Sequence, residues 1–161
     1  MMKYVLSALL LCSSLLAGPA AANPDVIHVA RNLHADAQLA QRAGKPVLII
    51  FTSPSCAYCE RVIHYYLIPM QRNPDYAGKV LIRQMDMTSS RALVDFRGRA
   101  TTEQHYAARL KITFAPTVMV FTPDGKPAGK PLVGLGPADY YGGYMDQAID
   151  AGLARMHPTH R

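Results

Sequence analysis

A run of five apolar residues leads into a Cys-x-x-Cys pair, and this arrangement constrains the fold more than any other feature of the chain. Residues 47–51 contain no polar side chain, which is typical of a strand buried on both faces of a sheet. A polar turn over residues 52–55 follows, and Cys56 and Cys59 then open a segment with helical periodicity. The sequence therefore predicts two cysteines in the first turn of a helix, directly after a central strand.

The place of these cysteines indicates redox chemistry. Backbone N–H groups at the start of a helix lack partners and the helix dipole is positive there, so a thiolate is stabilised. Cys56 is predicted to be the exposed nucleophile, and Cys59 the more buried thiol that resolves a mixed disulfide. A purely structural disulfide is the alternative, but a bridge across so short a loop constrains the unfolded chain little.

Helical periodicity recurs in four segments of the chain. Pro69 is expected to end or kink the second of them. Thr101 is expected to begin a capping box for the third, and Asp139 to cap the fourth. The four helices are predicted over residues 36–43, 56–69, 101–110 and 139–153.

Strand patterns separate these helices. Beyond the run at residues 47–51, strands are predicted over residues 79–87, 118–121 and 131–133, whereas residues 88–100 lack clear periodicity. A strand–helix–strand unit followed by a hairpin and a covering helix gives a sheet with both parallel and antiparallel neighbours. The sequence therefore predicts one α/β domain, in which a mixed central β-sheet is flanked by helices on both faces.

The N-terminus has the composition of a cleaved secretory signal. Lys3 supplies a positive start, residues 5–17 are mostly apolar, and three alanines at residues 20–22 give the small-residue pattern for cleavage before Asn23. The mature protein is therefore expected in the periplasm, without stable membrane association after cleavage. An uncleaved N-terminal anchor is the alternative prediction.

Cleavage at this position also defines the mature chain. Cys12 lies within the removed segment, so only the Cys-x-x-Cys pair enters a compartment in which disulfides persist. The rest is expected to comprise a lead-in over residues 23–34, a domain over residues 35–156 and a tail over residues 157–161. The lead-in is too short for a dimerisation domain, which predicts a monomer.

The cysteine segment and a second motif together resemble the thioredoxin superfamily. Residues 44–51 lead into Cys56-Ala57-Tyr58-Cys59, and Phe114-Ala115-Pro116-Thr117 stands before a predicted strand. The resemblance covers roughly residues 36–156 and implies a thioredoxin fold and thiol–disulfide exchange. Within the superfamily the chain is similar to small exported thioredoxins, including those associated with sulfur oxidation.

For the site, the resemblance implies a set of substrate contacts around the cysteines. It implies a cis peptide bond before Pro116, and pairing between the backbone of Ala115 and a substrate chain. Ala57 and Tyr58 are expected to contact the substrate as well. The partners implied are protein thiols or disulfides and a second protein that recycles the pair, and no cofactor is implied.

Three positions depart from the pattern of cytoplasmic thioredoxins. Ile50 stands where they carry a buried acid, the partner lysine of that acid is expected to fall near Ile82, and Ser55 replaces their tryptophan. Nothing obvious then accepts the proton of Cys59 as it attacks, except water or Glu60. These changes argue against fast, cytoplasmic-style reduction but leave exchange chemistry intact.

Two other functions can be weighed from the sequence. A metal-binding or metal-delivery module could use the cysteine pair with Met85, Met87, His64 or His105, but these residues form no compact ligand cluster. Nucleic-acid binding is not indicated, because the net charge of +6 comes from scattered residues without an aromatic–basic stripe. Exchange of protein disulfides is therefore favoured, with metal delivery as the alternative.

Overall fold

Helices and strands follow one another throughout residues 23–157, which are the residues that the computed structural model describes. The predicted signal segment and the last four residues of the predicted tail lie outside this range. In chain order the elements are α1 (Leu33–Arg42), β1 (Val47–Thr52), α2 (Ala57–Val62), a π-helical segment (Ile63–Leu67), α3 (Ile68–Arg72), α4 (Pro74–Ala77), β2 (Leu81–Asp86), β3 (Ala92–Val94), β4 (Ala100–Thr102), α5 (Glu103–Arg109), β5 (Thr117–Phe121), β6 (Leu132–Val133) and α6 (Ala138–Met156).

The central sheet has four strands in the order β2-β1-β5-β6. β1 pairs in parallel with β2 and antiparallel with β5, and β5 pairs antiparallel with β6. In the β1–β5 pair, Phe51 lies opposite Thr117 at one end of the sheet and Val47 lies opposite Phe121 at the other. The mixed central sheet is therefore confirmed, with the apolar run as one of its two inner strands.

Both faces of β1 are buried, and this explains its unbroken apolar sequence. Leu48 and Ile50 belong to a core cluster that includes residues of α2, α3 and α6. Val47, Ile49 and Phe51 belong to a second cluster, which includes residues of α1 and α5. Because successive strand side chains point to opposite faces, helices cover both sides of the sheet as predicted.

The helix that begins at the cysteines continues past Pro69, where it was predicted to end or kink. α2, the π-helical segment and α3 follow without interruption, and Pro69 lies in the first turn of α3. Pro69 carries no N–H, and its ring crowds the carbonyl one turn before it. A wider π turn, in which the Ile68 N–H donates to the Ile63 carbonyl, carries the helix past this position.

Two regions without a predicted strand add to the sheet structure. β3 lies in the segment that lacked periodicity and forms a hairpin with β4, which begins at the last residue of that segment and takes in the first two residues of the predicted third helix; Leu93 lies opposite Thr101. In the predicted lead-in, the Ala30 N–H donates to the Gln84 carbonyl over 2.8 Å, and the Gln84 N–H donates to the His28 carbonyl over 2.9 Å. The lead-in therefore contacts the outer edge of β2 through an isolated parallel β-bridge between Val29 and Gln84.

Three helix starts differ from the predictions. α1 begins at Leu33, and the Asn32 side chain accepts the Ala35 N–H as its cap. Thr102 rather than Thr101 caps α5, because β4 extends to Thr102, whose hydroxyl accepts the His105 N–H. α6 follows Pro137, so Asp139 lies inside the helix instead of capping it. None of the helices in residues 23–157 is long and apolar enough to cross a membrane.

Candidate redox site

The sheet brings the two predicted motifs to one of its ends. Because Phe51 lies opposite Thr117, the loop after β1 and the loop before β5 leave the sheet side by side. The first loop carries Cys56 to the start of α2, and the second contains Pro116 directly before β5. Antiparallel pairing of two inner strands therefore places the cysteine loop and the proline loop next to one another.

Cys56 and Cys59 form a disulfide at the start of α2. Cys56 is the residue that caps the helix, and its sulfur accepts the Cys59 N–H over 3.1 Å. Cys56 is partly exposed, whereas Cys59 is 1% exposed. Cys56 is therefore the more exposed residue of the pair, and Cys59 is covered by the protein.

The proline loop is held in place by hydrogen bonds on both sides of Pro116. The Ala115–Pro116 peptide bond is cis. The Pro116 carbonyl accepts the Gly134 N–H over 2.7 Å, and the Thr117 hydroxyl donates to the Phe114 carbonyl over 2.7 Å. Pro116 is buried and Ala115 is partly exposed. Ala115, the residue predicted to pair with a substrate, is therefore the more exposed of the two residues joined by the cis bond.

Exposed apolar side chains lie at this end of the sheet, and sequence reasoning identified only one of them. Tyr58 is 58% exposed, Phe114 56% and Val133 61%, and we call these three residues the apolar collar. The Phe114 ring lies beside Gly134, because a Cβ added to Gly134 would be 3.7 Å from the ring. Phe114 is the first residue of the motif that contains Pro116, and its place in that motif is the sequence feature from which its position near the site could have been predicted.

The register of β1 and β2 shows which residues lie opposite Ile50 and Leu48. β2 places Gln84 opposite Ile50, while Ile82 lies opposite Leu48; the lysine position was predicted near Ile82. Ile50 is fully buried in the core cluster. The carboxylate of Glu60 is exposed and lies 3.3 Å from the His64 ring, so it faces the next turn of the helix.

The four residues considered as metal ligands are dispersed. Met85 is buried in the core and Met87 packs against the same cluster. His64 pairs with Glu60, and His105 is exposed on α5. In the part of the chain that the structure describes, residues 23–157, no three His, Cys, Asp or Glu side chains are grouped to hold a metal ion.

With this geometry in view, a model of the thioredoxin-like domain family matches residues 33–149. The chain belongs to the thioredoxin-like domain family. Its match includes the strand, the Cys-x-x-Cys pair and the proline motif described above. No curated protein sequence matches the chain significantly.

Solved structures with the same fold include thioredoxins and an oxidoreductase. Thioredoxin O2 from Arabidopsis thaliana is 17% identical, with 79% of this chain and 97% of that chain covered and a TM-score of 0.50. Mitochondrial thioredoxin 3 from Saccharomyces cerevisiae is 18% identical, with 74% and 94% covered and a TM-score of 0.50. The DsbH oxidoreductase is 16% identical, with 78% and 86% covered and a TM-score of 0.53. At these identities the similarity shows the thioredoxin fold.

Proposed function

We propose that the protein is an exported thiol–disulfide oxidoreductase that works in the periplasm as a monomer. The observation that carries the proposal is the Cys56–Cys59 disulfide at the start of a helix in a thioredoxin fold, with Cys56 partly exposed and Cys59 buried. Export is supported by the composition of residues 1–22. We infer that its relatives are the small exported thioredoxins, including those associated with sulfur oxidation.

Exchange proceeds in two balanced steps when the pair is reduced. The Cys56 thiolate attacks one sulfur of a substrate disulfide, and the substrate S–S bond breaks as a mixed disulfide forms. The Cys59 thiolate then attacks the Cys56 sulfur and releases the second substrate thiolate. Two electrons pass to the substrate, whose thiolates take up protons from solvent. The reverse sequence oxidises a substrate dithiol, and a redox partner protein restores the starting state.

Cys56 is suited to the first step because of its position on the helix. The helix dipole stabilises negative charge at this end. The Cys59 N–H already donates to the Cys56 sulfur, and the same donor would stabilise a thiolate there. Cys59 is buried, so a substrate disulfide meets Cys56 first, and Cys59 acts only within the mixed disulfide.

The substrate would bind along the proline loop. The partly exposed Ala115 backbone would pair with an extended segment of substrate beside Pro116, while Ala57 and Tyr58 contact it from the helix. Phe114 and Val133 widen this surface with apolar area that a disulfide-containing segment could cover. A polypeptide segment around the disulfide is therefore the substrate class that the surface fits.

Serine variants of the full chain test the proposal. Cys56→Ser should abolish dithiol-driven reduction of insulin, because the attacking thiolate is lost. Cys59→Ser should accumulate a mixed disulfide, since the resolving thiolate is missing. Cys12→Ser is the matched control and should retain turnover. Wild-type turnover in both Cys56→Ser and Cys59→Ser, with folding checked by circular dichroism, would contradict the proposal.

A further inference from the structure

One arginine of α2 contacts the aromatic ring of a residue that lies between the two cysteines, and its charge has no ion-pair partner within residues 23–157. The Arg61 guanidinium carbon lies 5.7 Å from the centre of the Tyr58 ring, and Tyr58 is between the two cysteines in the chain. Long side chains on a helix lean towards its N-terminus. The Arg61 charge is therefore directed along α2 towards the end that carries the disulfide.

Neighbouring acids do not neutralise this charge. Within residues 23–157, Arg61 forms no ion pair with a carboxylate. Glu60, the adjacent acid, is instead paired with His64 one turn further from the disulfide. The apolar collar contains no charged side chain. In the described part of the chain, Arg61 is therefore a cation without an ion-pair partner, next to the Tyr58 ring of the apolar collar.

We infer that Arg61 recognises a carboxylate that flanks the target disulfide in a polypeptide substrate, so that substrates with Asp or Glu next to the reacting cysteine are preferred. This inference rests on the proposed function and names its substrate class. A guanidinium presents a planar fork of N–H donors that matches a carboxylate. Stacking over Tyr58 restricts the guanidinium before the substrate arrives, which reduces the entropy lost on binding. Arg61 takes no part in the electron transfer and acts as a specificity residue.

The test compares two disulfide peptides that differ in a single charge. Both carry the same intramolecular disulfide and a fluorescent reporter of its opening, with Glu next to one cysteine in the first peptide and Gln in the second. Each is mixed with an excess of fully reduced protein, and the rate constant of a single turnover is measured. The Glu/Gln ratio of rate constants is then compared between variants, which cancels the effect of Glu on the peptide's own reactivity.

The ratio should fall in Arg61→Gln relative to wild type by roughly two- to fivefold, the range of an exposed ion pair. Added salt should reduce the difference, because exposed charges are screened. Arg61→Lys keeps the charge and should retain more of the preference than Arg61→Gln. Arg97→Gln is the matched control: Arg97 is exposed in the turn between β3 and β4, and its side chain forms no ion pair within residues 23–157.

Two results would overturn the inference. An unchanged Glu/Gln ratio in Arg61→Gln would show that Arg61 does not contact the flanking carboxylate. An equal fall in Arg97→Gln would show that the overall positive charge of the protein, rather than Arg61, sets the preference. Failure of the reduced wild-type protein to open either peptide would instead contradict the proposed oxidoreductase function, so the two failures are distinguishable.

Discussion

The two ends of the central sheet differ in how they are held together. The redox end, where Phe51 pairs with Thr117, contains the disulfide, a buried proline and the exposed apolar collar. At the opposite end, where Val47 pairs with Phe121, a buried charge and the close packing of Gly125 against the Phe96 side chain join the turns. The first end leaves apolar side chains exposed, and the second pairs a buried carboxylate with neighbouring arginines.

Asp95 organises the opposite end. Its side chain is 3% exposed, and its carboxylate accepts from the side chains of Arg99 and Arg109 at 2.9–3.1 Å. The backbone N–H groups of Arg97 and Arg99 also donate to it. Burial opposes ionisation, but these hydrogen bonds outweigh it and hold the pKa of Asp95 below its ordinary value. The turn after β3 is therefore tied to α5 through one carboxylate.

A close approach of two turns completes this end. Gly125, with φ of +79°, lies so near Phe96 that an added Cβ would be 2.7 Å from the Phe96 Cβ. Only glycine allows both this backbone conformation and this contact without displacement. The comparison teaches that stability and exchange chemistry are located at different ends. Substitutions at the opposite end should lower the free energy of unfolding and leave exchange activity intact. Substitutions in the collar should slow exchange with a protein substrate and leave the free energy of unfolding nearly unchanged.

Asp95→Asn should have the larger effect on stability. The charge that holds two arginines is lost, while the shape of the side chain is kept, so we expect the free energy of unfolding to fall by about 2 kcal/mol. Exchange activity measured well below the melting temperature should remain near wild type. Denaturant unfolding and insulin reduction on the same preparation check both expectations. Reduced activity in a folded variant would contradict the separation of the two ends.

The lowered pKa of Asp95 determines how the stability effect of Asp95→Asn should change with pH. A carboxylate with a lowered pKa in the folded state contributes stability above its unfolded pKa and loses that contribution as the pH falls through the folded value. The stability difference between wild type and Asp95→Asn should therefore be largest near neutral pH and shrink in strong acid. A difference that is constant down to strong acid would show that the charge of Asp95 is not its source.

Phe114→Ala should have the smaller effect on stability. The ring is more than half exposed, so the free energy of unfolding should change by less than about 0.5 kcal/mol. Reduction of a protein disulfide should slow severalfold, because apolar contact with the substrate is lost, whereas reduction of a small disulfide should be unchanged. Equal slowing with both substrates would place the effect on the cysteines themselves.

The parts of the fold that could be predicted are those that the local sequence specifies. Residues 47–51 read as a buried inner strand because both faces must be apolar, and the structure places them in two core clusters. The position of the cysteine pair at the start of a helix could be predicted from the polar turn before it and the helical periodicity after it. The β3–β4 hairpin could not be predicted in this way, because its strands are three residues each and its turn depends on Asp95.

The missed features of the site depend on tertiary contacts. Phe114 and Val133 are far apart in sequence and come to one end of the sheet only through the pairing of β5 with β6. In the sequence, nothing distinguishes Arg61 from other exposed charged residues. Only the structure shows its guanidinium over the Tyr58 ring. Likewise, Gln84 could be placed opposite Ile50 only from the register of β1 and β2, which a one-residue error in strand position would change.

Selective alkylation of the reduced protein tests most directly whether Cys56 is the reactive sulfur. The reduced full chain is treated with limiting iodoacetamide at neutral pH, and the labels on Cys12, Cys56 and Cys59 are separated by peptide mapping with mass spectrometry. We expect Cys56 to react at least about tenfold faster than Cys59, because it is accessible and its thiolate is stabilised at the helix start. Equal labelling of the pair, or faster labelling of Cys59, would contradict the assignment of Cys56 as the attacking thiol.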